Sequence, residues 1–301
     1  MRVPATVANL GPGFDMLAMA LQLQNEVRAE STDGPSVTIE VDGEPEASGA
    51  AELLDPATNL VARAYLEVCS RLAVPVGARG VRLGCVNAIP MGRGLGSSAA
   101  ATLAGVLVAV ALHRVPWDER AILECVAGFE GHVDNAAAAL LGGLAICAPG
   151  AAPQRCDLPD EIHAIVFVPQ TCLATHEARQ VVAASFSRDD AIYNASRCAL
   201  LVRALLTRDY GALREAMDDR WHQAQRAALF PPMTSLIAAA YEGGADGACV
   251  AGSGPSILAL CAREPAPVSA AMAEAARRLS VPGVVMVLRP RNFGSRVDVR
   301  E

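Results

Sequence analysis

Three glycines within five positions precede two serines in the segment Pro90–Ala100, which reads PMGRGLGSSAA. The segment follows a predicted strand and opens a long apolar helix. Glycine lets the backbone approach a ligand closely, and the front of the helix offers unpaired amides and about half a positive charge to an anion. Ser97 and Ser98 can cap the helix or hold a metal ion. The spacing therefore indicates a phosphate cradle, and an ordinary loop with a serine N-cap is the alternative.

Acidic, imidazole and amide groups lie within six residues in the segment EGHVDN, residues 130–135. Glu130, His132 and Asp134 could supply a metal ligand, a polar substrate contact and a general base. The alternative is a helix C-cap followed by an Asx turn into the next helix.

A rigid bend is predicted near the N-terminus, where residues 9–15 read NLGPGFD. The Gly-Pro-Gly sequence would direct Asn9 and Asp15 from either side of the bend. An aspartate in that position could bind an ammonium group, and a surface turn is the alternative.

Two arginines of the second half each follow a histidine, Arg179 in THEAR and Arg226 in HQAQR. Guanidinium groups form paired hydrogen bonds with carboxylates, so two converging arginines would bind and orient such a ligand. Solvent-facing arginines are the alternative. The glycine-rich turn Ala251–Ser256 is either a simple hairpin turn or a source of backbone amides close to a phosphate tail.

The composition restricts the chemistry further. The sequence contains no lysine, so all 25 basic residues are arginine, which excludes a Schiff-base lysine and the lysine of a Walker-type P-loop. The formal net charge of −7 argues against nucleic acid as a partner. None of the nine cysteines forms a CxxC pair, which is typical of free thiols in the cytoplasm and offers no zinc site.

These segments must be positioned by a mixed set of helices and strands. Alternating apolar residues predict strands around Val37–Val41 and Val81–Cys85. Helices are predicted over Asn59–Leu72 and from Pro116 to about Phe129. The uncharged run Gly94–Leu112 is interpreted as a buried helix entered through a loop, with a membrane span as the alternative.

A Pro/Ala-rich stretch, Ala148–Pro159, is predicted as a boundary between two domains, residues 1–150 and 151–301. Beyond it the sequence predicts strands and helices in an order that resembles a split β-α-β arrangement with an antiparallel sheet. Strands are predicted at Ala164–Val168, Asp246–Val250, Ser256–Cys261 and Gly283–Leu288, and helices around Ala195–Leu205, Tyr210–Gln225, Met233–Tyr241 and Pro267–Leu279.

Taken in this order, the motifs resemble the GHMP kinase superfamily and, within it, the homoserine kinase branch. PATVANLGPGFD is similar to the N-terminal motif, PMGRGLGSSAA to the phosphate loop and VAGSGPS to the C-terminal glycine motif, and EGHVDN and TxxAR indicate the branch. The resemblance covers roughly Val3 to Leu260. It implies an α+β fold of two domains, with an N-terminal half like ribosomal S5 domain 2 and a ferredoxin-like C-terminal half.

The activity implied by the resemblance is ATP-dependent phosphorylation of the L-homoserine hydroxyl to O-phospho-L-homoserine, a step of threonine biosynthesis. It implies ATP and Mg²⁺ as cofactors, a cytoplasmic location, a homodimer, and neither nucleic acid nor membrane as a partner. The alternatives are another GHMP kinase that acts on a different amino alcohol, and a non-catalytic sensor of the same fold.

The resemblance also assigns residues. Ser98 and Glu130 correspond to metal ligands, with Glu124 as the alternative acid, and Asn59 lies where the family contacts the adenine. The nucleotide phosphates would lie along Pro90, Gly92, Arg93, Gly94, Leu95, Gly96, Ser97, Ser98, Ala99 and Ala100. The substrate shell would comprise Asp15 for the ammonium group, Arg179 and Arg226 for the carboxylate, and Asn9 and His132 around the hydroxyl. The catalytic set is Asp134, a base in some members, together with Asn9 and Arg226.

The sequence departs from the family pattern at five positions in or beside these motifs. Val133 replaces the usual proline, Ala224 and Gln225 replace the usual Pro-Tyr before Arg226, and Met16 and Met19 replace the usual small residues after GFD. None of these changes removes a proposed ligand or phosphate donor, but they alter packing beside the predicted substrate pocket.

Overall fold

A computed structural model describes residues 1–43, 53–72 and 79–299. The first half contains a five-stranded sheet in which β2 pairs with β1, β3 and β4, and β5 pairs with β4. The strands are β1 (Arg2–Asn9), β2 (Gly13–Gly43), β3 (Arg79–Asn87), β4 (Leu144–Ile146) and β5 (Gln154–Cys156). Strand β2 bends at Gly34, and both of its arms pair with β3, from Glu26–Val86 to Asp33–Arg79 and from Val37–Val81 to Gly43–Asn87.

Among the described residues of the first half, four helices lie on this sheet or on one another: the second and the fourth contact its strands, and the first and the third pack against the second. They are α1 (Leu60–Arg71), α2 (Ser97–Leu112), α3 (Glu119–Glu130) and α4 (Asp134–Leu141). Most of α2 is buried, and the helix is apolar on every side, which is typical of a central core helix. The prediction of a buried helix after the glycine segment is thus confirmed. Within the described residues, no helix combines the length and the apolar character that crossing a bilayer would require.

The second half is built on a four-stranded antiparallel sheet with the order β7-β8-β6-β9. Its strands are β6 (His163–Pro169), β7 (Gly247–Val250), β8 (Ile257–Cys261) and β9 (Gly283–Leu288). Helices α9 (Met233–Glu242) and α10 (Ala266–Arg278) cover one face, where Phe167 packs with Leu236 and Met272. The opposite face joins the core of the first half through Val166 and Leu258.

Between β6 and α9 lies a region of helices that carries the two arginines. It contains α5 (Thr175–Gln180), α6 (Arg188–Thr207), a 3₁₀ turn (Tyr210–Ala212), α7 (Leu213–Ala216) and α8 (Gln223–Arg226). The helix predicted over Tyr210–Gln225 is therefore wrong. Asp219 accepts hydrogen bonds from the backbone N–H groups of Trp221, His222 and Gln223, and a side chain that bonds the backbone in this way competes with helix continuation.

Most other predicted elements are confirmed within one or two residues. Asn59 caps α1 by accepting from the amides of Val61 and Ala62. The helix predicted from Pro116 begins at Glu119 instead, because the Asp118 side chain caps it at the Ala121 amide. The domain boundary at residue 150 stays a prediction, and β4 and β5, on either side of it, belong to the same sheet.

Candidate active site

Nearly all of the predicted site residues line one open cavity of about 610 Å³ between the two halves. It is lined by Asn9, Asp15, Pro90, Gly92, Arg93, Gly94, Leu95, Gly96, Ser97, Ser98, Ala99, Glu130, His132, Asp134, Arg179 and Arg226, among others. Of the predicted set, Asn59 and Ala100 do not line it. Segments far apart in the chain thus meet at one place, as the resemblance implies.

The glycine segment is held against the rest of the cavity wall by close backbone contacts. Gly94 and Gly96 have φ values of +75° and +70°, which side chains rarely tolerate. A Cβ on Gly94 would overlap the Ala251 carbonyl, and one on Gly96 would overlap the Thr6 hydroxyl. Glycine is therefore required at both positions, and the glycine segment packs directly on the turn that starts at Ala251.

The N-terminus of α2 opens into the cavity without a side-chain cap. Its N-cap is Gly96, so the alternative of a serine N-cap is wrong. Ser97, Ser98 and Ala99 of the first turn line the cavity. An uncapped helix of sixteen residues presents amides and the positive end of the helix dipole, which together favour an anion.

A carboxylate stands beside this helix end. The Ser98 hydroxyl donates to Oε1 of Glu130 over 2.6 Å, and the Thr102 hydroxyl donates to the same oxygen over 3.2 Å. Glu124, the alternative acid, is exposed on α3 and pairs with Arg120 instead, so it does not reach the cavity. Ser98 and Thr102 are four residues apart on α2, a spacing that could have identified Thr102 as a second partner of the acid.

The donor set around Ser98 suits Mg²⁺ better than a tightly held structural metal. In the part of the chain that the structure describes, no group of three or more His, Cys, Asp or Glu side chains could hold a metal. Mg²⁺ commonly uses one or two protein oxygens and completes its shell with substrate phosphates and water. A hydroxyl and a carboxylate next to an anion-binding helix end fit that pattern.

Asp134 is 1% exposed and lies at the start of α4. Its Oδ1 lies 2.7 Å from Nδ1 of His132 and accepts from the Asn135 amide over 2.7 Å. Burial lowers the pKa of His132, but the hydrogen bond and attraction to Asp134 prevail and leave that pKa raised. The predicted helix C-cap is present as well, because Gly131 ends α3 with φ +77°. The segment therefore both ends a helix and brings an acid–imidazole pair to the cavity.

The Gly-Pro-Gly bend is not a surface turn. Asn9 and Asp15 both have positive φ values, +70° and +56°, and the turn between them is largely buried. The Asn9 side chain donates to the Gly252 carbonyl over 2.8 Å and accepts from the Asp15 amide over 3.1 Å. This side chain therefore ties the N-terminal bend to the C-terminal glycine turn.

The two arginines converge on the same side of the cavity. Arg179 donates to both carboxylate oxygens of Asp15, from Nη1 over 3.0 Å and from Nη2 over 2.6 Å. Burial lowers the pKa of Arg179, but the bond to Asp15 prevails and raises it. Arg226 is 2% exposed, and burial, followed by repulsion from Arg179, lowers its pKa to about 10. Both guanidinium groups lie near the Phe14 ring, whose centre is 5.5 Å from Cζ of Arg179 and 5.3 Å from Cζ of Arg226.

Other predicted contacts are placed differently. The Asn59 side chain caps α1 and donates to the Leu53 carbonyl, so a direct adenine contact stays a prediction. The Arg93 guanidinium donates to the carbonyls of Met91, Pro169 and Gln170, which fastens the glycine segment to the end of β6. Gln225 accepts from the Ala183 amide over 2.8 Å and so holds the loop that follows Arg179.

A second cavity of about 1130 Å³ adjoins the first. Both cavities are lined by Ser98, Glu130 and Arg179. The far wall of the second is formed by α1 and the end of α3, where the Arg63 guanidinium lies 5.7 Å from the centre of the Phe129 ring. The two cavities therefore meet beside the first turn of α2, which carries Ser98.

Comparison with known proteins identifies the family. The model for the N-terminal domain of GHMP kinases matches residues 59–143, and that for their C-terminal domain matches residues 201–278. A homoserine kinase of Moorella thermoacetica is 37% identical over 298 residues, which is 98% of each chain. This chain belongs to the homoserine kinases. A homoserine kinase of Desulfitobacterium hafniense is 40% identical over 263 residues, 86% of each chain.

Solved structures agree with this family. The crystal structure of homoserine kinase from Cytophaga hutchinsonii superposes with a TM-score of 0.84 at 26% identity, over 97% of this chain and 95% of that one. A mevalonate kinase of L. major in complex with R-mevalonate superposes with a TM-score of 0.72 at 16% identity, over 98% and 96% of the chains, and shows a shared fold alone. The predicted α+β GHMP kinase fold and the predicted class, an ATP-using phosphotransferase, are confirmed.

Proposed function

We propose that this protein transfers the γ-phosphoryl group of ATP to the side-chain hydroxyl of L-homoserine and releases O-phospho-L-homoserine and ADP. One observation carries the proposal. A single cavity has an uncapped helix end with the Ser98–Glu130 pair on one wall and Asp15, Arg179 and Arg226 on another. The first wall suits a triphosphate, and the second suits a zwitterionic amino acid, because it offers one anion and two cations.

On the nucleotide side, the triphosphate would lie over the glycine segment and the first turn of α2, with the nucleoside in the adjoining cavity. Ser98 and Glu130 would hold Mg²⁺ together with phosphate oxygens. When bound, that ion neutralises negative charge on the β- and γ-phosphates. The amides of the first turn act on the same charge and need no rearrangement, since the helix is fixed by its burial.

On the acceptor side, Asp15 would bind the ammonium group, and Arg179 and Arg226 the carboxylate. Fixing both ends of a short amino acid leaves its hydroxyl to be directed at the γ-phosphorus by Asn9 and His132. Holding reacting atoms in this way removes much of the entropic cost of their encounter. The hydroxyl oxygen attacks phosphorus, the bond to the ADP oxygen breaks, and the hydroxyl proton passes to the Asp134 carboxylate, which acts as the general base.

A coupled assay of ADP release with L-homoserine, L-serine, L-threonine and mevalonate tests this function. We expect the highest kcat/KM with L-homoserine. A higher value with another acceptor would assign the protein to a different branch of GHMP kinases. ATP binding without turnover on any acceptor would instead indicate a sensor of the same fold.

The predicted homodimer and the predicted cytoplasmic location also belong to this proposal. The location accords with the nine cysteines, none of which forms a CxxC pair. Sedimentation velocity at several concentrations would test the dimer, and fractionation of the source cells would test the location.

A further inference from the structure

Arg226 is fixed by contacts to three different parts of the chain. Its Nε donates to the Ala178 carbonyl over 3.1 Å, and Nη1 donates to the Gly252 carbonyl over 2.8 Å. Nη1 also lies 3.1 Å from Nδ1 of His222. Among the described residues these bonds use Nε and Nη1 only, which leaves Nη2 for a substrate carboxylate. The position of this donor therefore depends on what holds Nη1.

The contacts of His222 determine which of its ring nitrogens carries the proton. The ring is fully buried, and Nε2 lies 2.7 Å from the Gly11 carbonyl oxygen, which can only accept. Nδ1 faces a guanidinium nitrogen, which can only donate. The imidazole must therefore be neutral, with its proton on Nε2. A lowered pKa of His222, caused first by burial, agrees with this assignment.

The backbone around His222 is fixed as well. Asp219 accepts from the His222 and Gln223 amides over 2.9 and 2.8 Å and from the Asn194 side chain over 2.7 Å. Gly11, at the other end of the imidazole, belongs to the same bend that carries Asp15. One rigid imidazole thus connects the bend that carries Asp15, through the Gly11 carbonyl, to Arg226, the residue that would bind the carboxylate.

We propose that His222, as the neutral Nε2–H tautomer, is a positioning residue that aligns Arg226 with the bend carrying Asp15 and so sets the spacing at which the amino-acid substrate is recognised. The inference rests on the proposed function, because it assumes an amino-acid acceptor. It assigns no contact between His222 and the substrate.

Two variants separate the two hydrogen bonds of the ring. A glutamine can place its amide N–H near Nε2 and keep the bond to Gly11, but it offers no acceptor at Nδ1. An asparagine can place its oxygen near Nδ1 and keep the bond from Arg226, but it does not reach Gly11. His163→Asn, at the start of β6 and outside both cavities, controls for the loss of an imidazole elsewhere.

We expect His222→Gln to raise KM for L-homoserine about 10- to 100-fold. KM for ATP should stay within about twofold of the wild-type value. In His222→Asn, KM for L-homoserine should return much of the way to the wild-type value. The decisive measurement uses two competitive inhibitors, 4-hydroxybutanoate, which lacks the ammonium group, and 3-aminopropan-1-ol, which lacks the carboxylate. The His222→Gln substitution should weaken inhibition by 4-hydroxybutanoate and leave inhibition by 3-aminopropan-1-ol nearly unchanged. A purely structural defect would weaken both equally, and that result would overturn the proposal.

A measurement on the wild-type protein keeps the inference testable if the variants do not fold. The ¹⁵N chemical shifts of selectively labelled histidine should show His222 protonated at Nε2 and bare at Nδ1 near neutral pH. A proton on Nδ1, or on both nitrogens, would overturn the proposal. Wild-type enzyme that phosphorylates no amino acid would reject the proposed function itself, whereas a normal wild type with an unaffected His222→Gln variant would reject this inference alone.

Discussion

Arg179 and Asp15 bind one another through two parallel hydrogen bonds of 3.0 and 2.6 Å. These are the two groups proposed to bind the opposite charges of the substrate, so in the absence of substrate each satisfies the other. Both side chains are about one third exposed, 35% and 36%, and water weakens an ion pair of this kind. We therefore expect an amino-acid substrate to replace this ion pair with two new ones, in which its ammonium group binds Asp15 and its carboxylate binds Arg179.

Replacing Asp15 by asparagine should raise KM for L-homoserine about 10- to 100-fold, because a charge-assisted hydrogen bond contributes roughly 1.5–3 kcal/mol. The same change releases Arg179 from its partner, so 4-hydroxybutanoate, which has only the carboxylate, should inhibit more strongly than it inhibits wild type. Initial-rate kinetics with both compounds check the prediction. Asp33→Asn, an exposed acid outside the cavity, is the control. Weaker inhibition of Asp15→Asn by 4-hydroxybutanoate would contradict the exchange.

Replacing Arg179 by alanine should raise KM for L-homoserine by a similar factor and change kcat less, because binding of substrate and transition state is lost together. Arg179→Lys should recover only part of the loss, since an ammonium group cannot form the two parallel bonds of a guanidinium. Arg203→Ala, which removes an exposed arginine paired with Asp209, is the matched control. Full recovery with lysine would mean that only the charge matters.

Replacing Glu130 by glutamine should raise the Mg²⁺ concentration for half-maximal activity about tenfold or more, as the loss of a ligand position affects affinity at least as much as the loss of its supporting contacts. Glu124→Gln should leave it unchanged, because that acid lies on the exposed face of α3 and pairs with Arg120. Binding of Mn²⁺ to the ADP complex, followed by electron paramagnetic resonance, gives a readout that does not depend on turnover. If both variants changed the Mg²⁺ requirement equally, Glu130 would not be a metal ligand.

Gly96→Ala should impair nucleotide binding and destabilise the fold more than Gly150→Ala does. Both glycines have positive φ, +70° and +79°, so each substitution carries a backbone cost of about 1–2 kcal/mol. At Gly150 a Cβ meets nothing within 4 Å, whereas at Gly96 it overlaps the Thr6 hydroxyl, and overpacking costs a further ~1–3 kcal/mol. Urea unfolding and KM for ATP measure the two effects. Equal unfolding free energies of the two variants would show that the backbone around Gly96 accommodates a Cβ without loss of stability.

The motifs of this cavity could be predicted because each is encoded locally. Glycine spacing marks the segment around Gly94 and Gly96, and the Gly-Pro-Gly bend directs its two flanking side chains through backbone geometry alone. What local patterns do not contain is the partner of each group. His222 contacts Gly11 across 211 positions of the chain, and nothing in the spacing around either residue indicates that contact.

The missed elements have physical reasons of the same kind. Strand β1 is buried on both faces from Val3 to Asn9, so it lacks the alternation that identifies a strand with one solvent face. The helix predicted up to Gln225 was wrong because one carboxylate, Asp219, reorganises the backbone that follows it. Asn59 could equally cap a helix or contact a ligand, and the structure places its side chain in the cap.

The buried imidazole of His222 should make the protein sensitive to acid in a defined range. Burial lowers the pKa of His222 from its ordinary 6.5 to about 4, while Asp219 attracts and Arg226 repels the proton and Asp15 attracts it more weakly. Between these two pH values the unfolded chain binds a proton that the folded chain does not. The free energy of unfolding therefore falls as pH falls from about 6.5 to about 4, by up to on the order of 3 kcal/mol.

The His222→Gln variant lacks this titrating imidazole. Its unfolding free energy should therefore fall less over the same pH range, even if the variant is less stable than wild type near neutral pH. Urea unfolding of both proteins at intervals between those pH values gives the comparison, and acids that both proteins share and that lie far from residue 222 cancel to first order in the difference. The difference in unfolding free energy between wild type and variant should narrow as the pH falls. The unfolded wild-type chain gains a proton on His222 that the folded chain does not bind, and the variant has no such proton to gain. Parallel curves would mean that the imidazole is protonated in the folded state, contrary to its contacts with Arg226 and Gly11.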